Sequence, residues 1–344
     1  MNINLSYENC LLTDPYNIRF LTGFSGSQAR LLKAGNNYFL FLDARYYEAW
    51  KKKVQGAEAV LIKKNFTEEI TAFCRKKKIR VLYYEDYALS VKTHRQFTEK
   101  TGPEFIPMAD ESLRSHKTPG QIKDTEKALQ IAEDGFLYIL SFLKENIREL
   151  DIMIELEHYL RLKGSERHPF PAIIASGPNS SCPHHQTGMR RIETGDVLLF
   201  DFGAVYNGLC SDISRTVFFG KLKNSAARVA YERVNEAREQ AFASIKNIPL
   251  PAKNVHTAAD NVFSGYKQNK FFLHGTGHGT GYNIHEYPRL SSLSEDIIEE
   301  GSIFTIEPGL YYRGKFGIRI EDMAVIQKGQ VRRMNITGTD LLVL

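Results

Sequence analysis

Cysteine is scarce in this chain. Only Cys10, Cys74, Cys182 and Cys210 occur among 344 residues, with no CxxC pair and no spacing of the kind that builds a disulfide framework. That sets aside a disulfide-stapled scaffold and a thiolate zinc site, and it suits a reducing cytosol, so a cytoplasmic location is expected. No apolar run approaches the roughly 18 residues a membrane-spanning helix needs. The start, MNINLSYENC, has neither a basic region nor an apolar core, so no signal peptide is expected. Charge of one sign is also lacking: 45 basic residues stand against 40 acidic ones, a net +5. The local basic clusters, Lys51 to Lys53 and Arg75 to Lys78, have no interleaved aromatics and read as solvated faces, not as a nucleic-acid surface. With 42% hydrophobic and 25% charged residues the composition is that of a globular protein. The length is more than one ordinary domain needs and is comfortable for two.

The first 112 residues alternate short apolar runs with helical patterns. Tyr38 to Leu42, Ala59 to Ile62 and Val81 to Tyr84 read as strands; Ala44 to Lys53 and Phe66 to Lys77 read as helices. This alternation favours a parallel or mixed sheet covered by helices. Neither a P-loop nor GxGxxG occurs there, so no nucleotide chemistry is expected of it. A polar, turn-rich stretch from Pro107 to Lys117 marks a boundary. Beyond it Thr118-Pro119-Gly120-Gln121 has the form of a helix start: Thr as N-cap, Pro at the first helical position and Gln three residues after the cap. Further helices are expected from Asp151 to Gly164, from Leu222 to about Lys246, and from about Asn254 to Tyr266.

The stretch from Phe272 to Arg289, FLHGTGHGTGYNIHEYPR, departs from this pattern. His274, His278 and His285 sit among four glycines and two threonines, a poor core and a good site wall. Four acids elsewhere share an apolar, strand-like setting. Asp201 lies inside DVLLFDFGA, Asp212 heads the run in LCSDISRTVFFG, Glu307 ends IFTIEPG, and Glu321 lies in GIRIEDMAVI. Strand alternation in that last segment puts Arg319 and Glu321 on one face and Ile318, Ile320 and Asp322 on the other. A carboxylate in a dry interior costs several kcal/mol unless it is paired or bound to a metal. Any one of these acids alone reads as an ion pair. Four together, near a glycine-flanked imidazole, point to a shared counter-charge, and two divalent cations balance four carboxylates. Oxygen-rich ligation with one histidine suits Mn, Co, Zn or Fe. Turn residues Tyr206-Asn207-Gly208 between the two aspartates, and Arg313-Gly314-Lys315 between the two glutamates, would bring each pair together on a hairpin.

The segments DFGA, SDISRT, HGTGHGTGYNIHE, TIEPG and GIRIED, in this order, resemble the metal-dependent Xaa-Pro peptidases, aminopeptidase P and prolidase, of the pita-bread superfamily. The resemblance covers the C-terminal two-thirds by motif and the N-terminal third through NIRFLTGFSGS and FLFLDARYYEAW. It implies an α/β N-terminal domain at 1–112, similar to the creatinase N-domain, followed by an α+β pita-bread catalytic domain at 117–344. It also implies that Asp201, Asp212, His278, Glu307 and Glu321 hold two divalent ions, manganese first, with a bridging hydroxide as nucleophile. By the same resemblance His285 contacts the substrate at the reacting centre and stabilises its carbonyl or transition state, and His184 lines the pocket, with His185 as the competing match to His184. Glu307 doubles as proton shuttle. Arg319 orients Glu321, and His274 either supports the site or touches substrate. Arg289 resembles the position that in prolidases can bind the free carboxylate of a dipeptide, but related aminopeptidases carry an arginine there too, so it does not settle substrate length. The implied activity is hydrolysis of an N-terminal Xaa-Pro bond by an aminopeptidase, with an Xaa-Pro dipeptidase as the alternative and a non-catalytic peptide-binding relative more remote. A proline-containing peptide is the implied partner, and a homodimer the implied assembly.

Overall fold

The computed structural model describes residues 6–99, 102–108, 112–221 and 225–344. The boundary stretch at 109–111, the first residues of the N-terminal segment and Leu222 at the expected helix start lie outside the described residues. Two compact units result, Met1–Arg114 and Ser115–Leu344.

In the first unit, strands β1 (Asn9–Leu12), β2 (Arg30–Ala34), β3 (Asn37–Leu42), β4 (Glu58–Leu61), β5 (Val81–Glu85) and β6 (Glu104–Met108) alternate with helices α1 (Pro15–Thr22), α2 (Ala44–Trp50), α3 (Phe66–Lys76) and α4 (Val91–Thr98). The strand order is β4-β3-β2-β1-β5-β6. Pairs β3–β4, β1–β5 and β5–β6 are parallel, and β1–β2 and β2–β3 antiparallel, so the sheet is mixed as its pattern implied. Each helix starts at a polar cap: Asp14, Asp43, Asn65 and Ser90 accept backbone N–H bonds in turn. Helix α2 stops at Trp50, short of Lys53.

The second unit is α+β. Helix α5 (Pro119–Phe142) opens on a complete capping box between Thr118 and Gln121. It packs with α6 (Glu149–Leu162) over a three-stranded sheet formed by β7 (Ile173–Ser176), β8 (Val197–Phe202) and, beyond a short hairpin, β11 (Ile213–Phe218), in the order β11-β8-β7. The hairpin is β9 (Val205–Tyr206) and β10 (Leu209–Cys210). Its turn residues Asn207 and Gly208 both take positive φ, 49° and 81°, the geometry that a two-residue turn between twisted strands requires. Phe136, Ile152, Leu156, Leu198 and Phe200 share the core under this layer.

A second helical pair follows: α7 (Ser225–Ala243), then the two-residue β12 (Leu250–Pro251), then α8 (Ala252–Gly265). They cover strands β13 (Gly277–Gly279), β14 (Glu286–Leu290), β16 (Ile303–Ile306), β19 (Asp322–Gln327) and β20 (Gln330–Arg333), in the order β14-β13-β16-β19-β20; β15 (Ile297–Ile298) pairs with β12. Between β16 and β19 a hairpin departs, β17 (Gly309–Tyr312) and β18 (Phe316–Arg319). Ala237, Ala241, Val255, Phe263, Phe304 and Ile318 lie in the core on this side.

The two halves of this unit thus repeat one plan: a helical pair, a strand, a hairpin excursion and a returning strand. Asp201 and Asp212 flank the first excursion, and Glu307 and Glu321 flank the second. Glu321 differs from its sequence reading in one respect. It lies in the break between β18 and β19, not inside a continuous strand, so the chain turns there to start a different sheet.

Candidate metal centre

A cavity of about 660 Å³ opens in the second unit beside the residues that flank the two hairpin excursions. Asp201, Asp212, His278, Glu307 and Glu321 all line it, together with His184, His185, His274, His285 and Arg319. Met153, Phe170, Pro171 and Ile173 form an apolar wall. Strand register explains the convergence of the aspartates: Asp201 pairs with Ser214 across β8 and β11, which places Asp212 two residues beyond that pair on the same side. Between the glutamates the alternation inferred from sequence also holds. Ile318 and Ile320 enter the apolar core, and Arg319 and Glu321 face the cavity.

One atom each from Asp212, His278 and Glu321 lie within 4.8 Å of one another. Oδ1 of Asp212 and Oε1 of Glu321 are buried without a hydrogen-bond partner. His278 Nδ1–H donates to the Gly279 carbonyl at 3.0 Å. That bond fixes the tautomer and leaves the lone pair on Nε2, which stands 3.6 Å from Asp212 Oδ2 and 3.3 Å from Glu307 Oε1. Burial pushes the His278 pKa down and keeps the ring neutral. A lone pair facing carboxylate oxygens calls for a proton or a cation between them.

The carboxylates carry the same message. Burial first, then the Glu321, Asp201 and Glu307 charges, push Asp212 well above the ordinary carboxylate range. Burial, then Glu307 and Asp201, do the same to Glu321. Burial takes Glu307 up to about 7, although Arg319 works against the rise. Arg319 is the one permanent cation among the lining residues, so one positive charge meets four carboxylates and three remain uncompensated. Buried carboxylates with orphaned oxygens and an imidazole lone pair directed at them fit divalent metal ions.

The groups around this cluster hold it rigid. Arg319 gives Nη2–H to Asp201 Oδ2 at 2.5 Å, Nε–H to Ser214 Oγ at 2.8 Å and Nη1–H to Tyr311 Oη at 2.8 Å. Ser214 in turn donates to Glu321 Oε2 at 2.7 Å. Arg319 therefore grips Asp201 directly and reaches Glu321 through a serine, where sequence placed it against Glu321 itself. Burial opposes its charge, but Tyr311, Asp201 and Glu307 outweigh that and raise its pKa. Thr305 Oγ1 accepts from the His278 backbone N–H at 3.1 Å and donates to Glu307 Oε1 at 3.2 Å. His274 donates from Nδ1 to the Gly275 carbonyl at 2.7 Å, so its Nε2 accepts from Tyr311 at 2.8 Å. Both ring nitrogens are spent on support, and burial drives its pKa to about 3.

His285 stands at the rim, its ring edge-on to His278 with centroids 4.4 Å apart. Partial burial and the neighbouring imidazoles lower its pKa to about 4. His184 lines the cavity on its exposed side, and the neighbouring His185 is held by the buried Glu149 at 3.0 Å. Arg289 is not among the lining residues. It lies on β14 with its side chain 64% exposed, 3.5 Å from Asp296. Sequence reading missed Ser214, Thr305 and Tyr311. The first two had a signal, since each sits two residues from a candidate acid on the same strand face. Tyr311 had none, and neither did the apolar wall.

Carboxylates and one neutral imidazole converging in a cavity of an α+β unit define a candidate divalent-metal site. The chain belongs to metallopeptidase family M24, whose model matches residues 123–328, and residues 5–116 match the Creatinase/Prolidase N-terminal domain. It is 31% identical over 341 residues to an Xaa-Pro dipeptidase of Pyrococcus furiosus, covering 98% of this chain and 96% of that one. Among solved structures, an Xaa-Pro dipeptidase from Bacillus anthracis superposes with a TM-score of 0.94 at 32% identity, over 98% of this chain and 95% of the other. An X-Pro aminopeptidase from Thermotoga maritima gives 0.89 at 28% identity, over 99% and 98%. The fold expected from sequence, a creatinase-like α/β domain followed by an α+β pita-bread catalytic domain, is the one these matches share.

Proposed function

We propose that this chain hydrolyses the Xaa-Pro bond at the N-terminus of peptides, as a metal-dependent Xaa-Pro aminopeptidase. Asp201, Asp212, His278, Glu307 and Glu321 would hold two divalent ions, manganese before cobalt, zinc or iron. The observation that carries this reading is the pair of orphaned buried oxygens on Asp212 and Glu321, facing the lone pair of His278. Divalent ions bound there supply Lewis acidity towards a carbonyl and a lowered pKa for water.

Each side chain then has a task suited to its environment. Glu307 would accept a proton from water and return it to the leaving nitrogen, a role that needs a carboxylate beside the reacting water. His285 is uncharged near neutral pH and offers an N–H to the substrate carbonyl. His184 lines the same cavity and serves the same carbonyl. Arg319 fixes Asp201 and Ser214 so that the acids do not relax away from one another. His274 supports the site through Tyr311, and any substrate contact it makes is through its ring face.

The second reading, an Xaa-Pro dipeptidase, needs a cation for the free carboxylate, and Arg289 was the candidate. Arg289 pairs with Asp296 outside the cavity lining, and it does not settle the length of the substrate. The assay that separates the two compares Gly-Pro with Gly-Pro-Gly and longer Gly-Pro peptides, with manganese and cobalt supplied separately. Turnover of the longer peptides supports the aminopeptidase; turnover of dipeptides alone replaces it with the dipeptidase. No helix among the described residues is long and apolar enough to cross a membrane. A homodimer and a cytoplasmic location complete the proposal. The resemblance supports the first, and the cysteine pattern the second. Light scattering tests the dimer, and a mass of 39.2 kDa would reject it.

A further inference from the structure

Outside the metal cluster the second unit buries another ion pair that the reaction does not use. Lys117 Nζ lies 3.1 Å from Glu286 Oε2, with side-chain exposures of 3% and 2%. The partners are 169 positions apart. Lys117 comes just before the cap of α5, and its backbone N–H is anchored on the Gly301 carbonyl at 2.9 Å. Glu286 is the first residue of β14 and directly follows His285.

Glu286 organises the turn that carries this histidine. Its Oε1 accepts the Asn283 backbone N–H at 3.0 Å, and Asn283 Oδ1 accepts the Ile284 N–H at 2.8 Å. The Asn283 carbonyl accepts from Gly281 N–H at 3.0 Å. Gly281 has no room for a side chain: a Cβ there would run into the Glu286 carboxylate, with the Lys117 stem 3.0 Å away. The Gly281 carbonyl is in turn tied to the Cys210 N–H at 2.7 Å, on the hairpin between Asp201 and Asp212. The six residues between β13 and β14 are thus folded around one carboxylate, and Lys117 pairs with that carboxylate from the other side of the chain. A buried carboxylate that loses its counter-ion takes up a proton or moves towards water, and either change releases the turn.

We propose that Lys117 and Glu286 are positioning residues for His285, fixing the reach of its imidazole over the cavity without touching substrate themselves. This rests on the peptidase reading only in taking His285 to face the substrate.

The test is a double-mutant cycle on the manganese-loaded full chain with Gly-Pro-Gly, joined to hydrogen exchange at the Asn283 amide, which needs no substrate. Glu286→Gln is expected to lower kcat about tenfold or more with KM within about twofold. In a His285→Ala background the same change is expected to alter kcat by less than about twofold, because the group it acts through has gone. A merely structural role would give the same loss in both backgrounds, and that result would overturn the proposal, as would a fully active Glu286→Gln. Should that variant not fold, Lys117→Met/Glu286→Leu keeps the core apolar, and the Asn283 amide should then exchange about tenfold faster; unchanged exchange overturns the proposal. A wild-type protein inactive on all Xaa-Pro peptides would sink the functional reading and leave the exchange result standing.

Discussion

Glu321 and Asp322 are adjacent, both carboxylates, and both 1% exposed. Asp322 accepts from Arg215 on Oδ1 at 2.9 Å and from Arg238 on Oδ2 at 2.5 Å, with Arg333 3.3 Å from the same oxygen. Glu321 has a serine hydroxyl on one oxygen and nothing on the other. Strand alternation sends one acid into a saturated ion cluster and its neighbour into a cavity where negative charge accumulates. A buried carboxylate ringed by arginines is a structural element. One left short of counter-charge lowers stability unless a ligand arrives, and marks a place kept for that ligand.

The sharpest way to break this contrast is to exchange the penalties. Glu321→Ala should abolish turnover, by about a thousandfold or more, with bound divalent metal lost by plasma mass spectrometry and the metal-free protein no less stable. Near-wild-type activity would end the assignment. Asp322→Ala should do the reverse. Leaving Arg215 and Arg238 buried without their acid is expected to cost about 3–5 kcal/mol in urea unfolding. Between the two stands Arg319, whose three-way grip a lysine cannot copy. Arg319→Lys should reduce metal affinity or activity by about 10- to 100-fold, read by metal titration.

Stability against pH sharpens the comparison further. Glu307 goes from 4.5 to about 7 on folding, so the folded state holds a proton that the unfolded chain releases, and stability falls as pH rises through that window. Asp212 and Glu321 are raised too and extend the fall upward. His274 and His285 drop from 6.5 to about 3 and about 4. They cost stability below pH 6.5 and nothing above it. Above pH 6.5 the raised carboxylates set the slope, until the thiol range near 9 where the buried Cys10 and Cys74 add to it. Chelator-treated protein should lose stability as pH rises there, and manganese should flatten the slope. A flat metal-free profile would mean the acids are compensated after all. The smallest effect belongs to Arg289→Ala, an exposed pair outside the cavity lining. It should leave kcat/KM on Gly-Pro-Gly within about twofold.

Much of the fold was legible because its signals are local. Thr118, Pro119 and Gln121 form the capping box their spacing described. Asn207-Gly208 turns the first hairpin, and Arg313 to Lys315 the second. The mixed sheet of the first unit was visible in three of its strands; β1, β2 and β6 were not singled out. The five candidate ligands do line one cavity. What stayed hidden is contact across long stretches of chain: Arg319 on Asp201 instead of Glu321, Tyr311 between Arg319 and His274, Glu149 behind His185, and Lys117 on Glu286. No periodicity encodes such pairs, because each depends on how two separately formed elements dock.

By itself, the order of residues determined the elements, the two excursions and which acids stand at their ends, since helix caps, turns and strand alternation act within a few residues. Only the packed molecule decided which buried charge is answered by an arginine and which is left facing an imidazole lone pair. Electrostatic compensation in a dry interior is settled by distances of a few ångströms between groups that can lie more than a hundred positions apart.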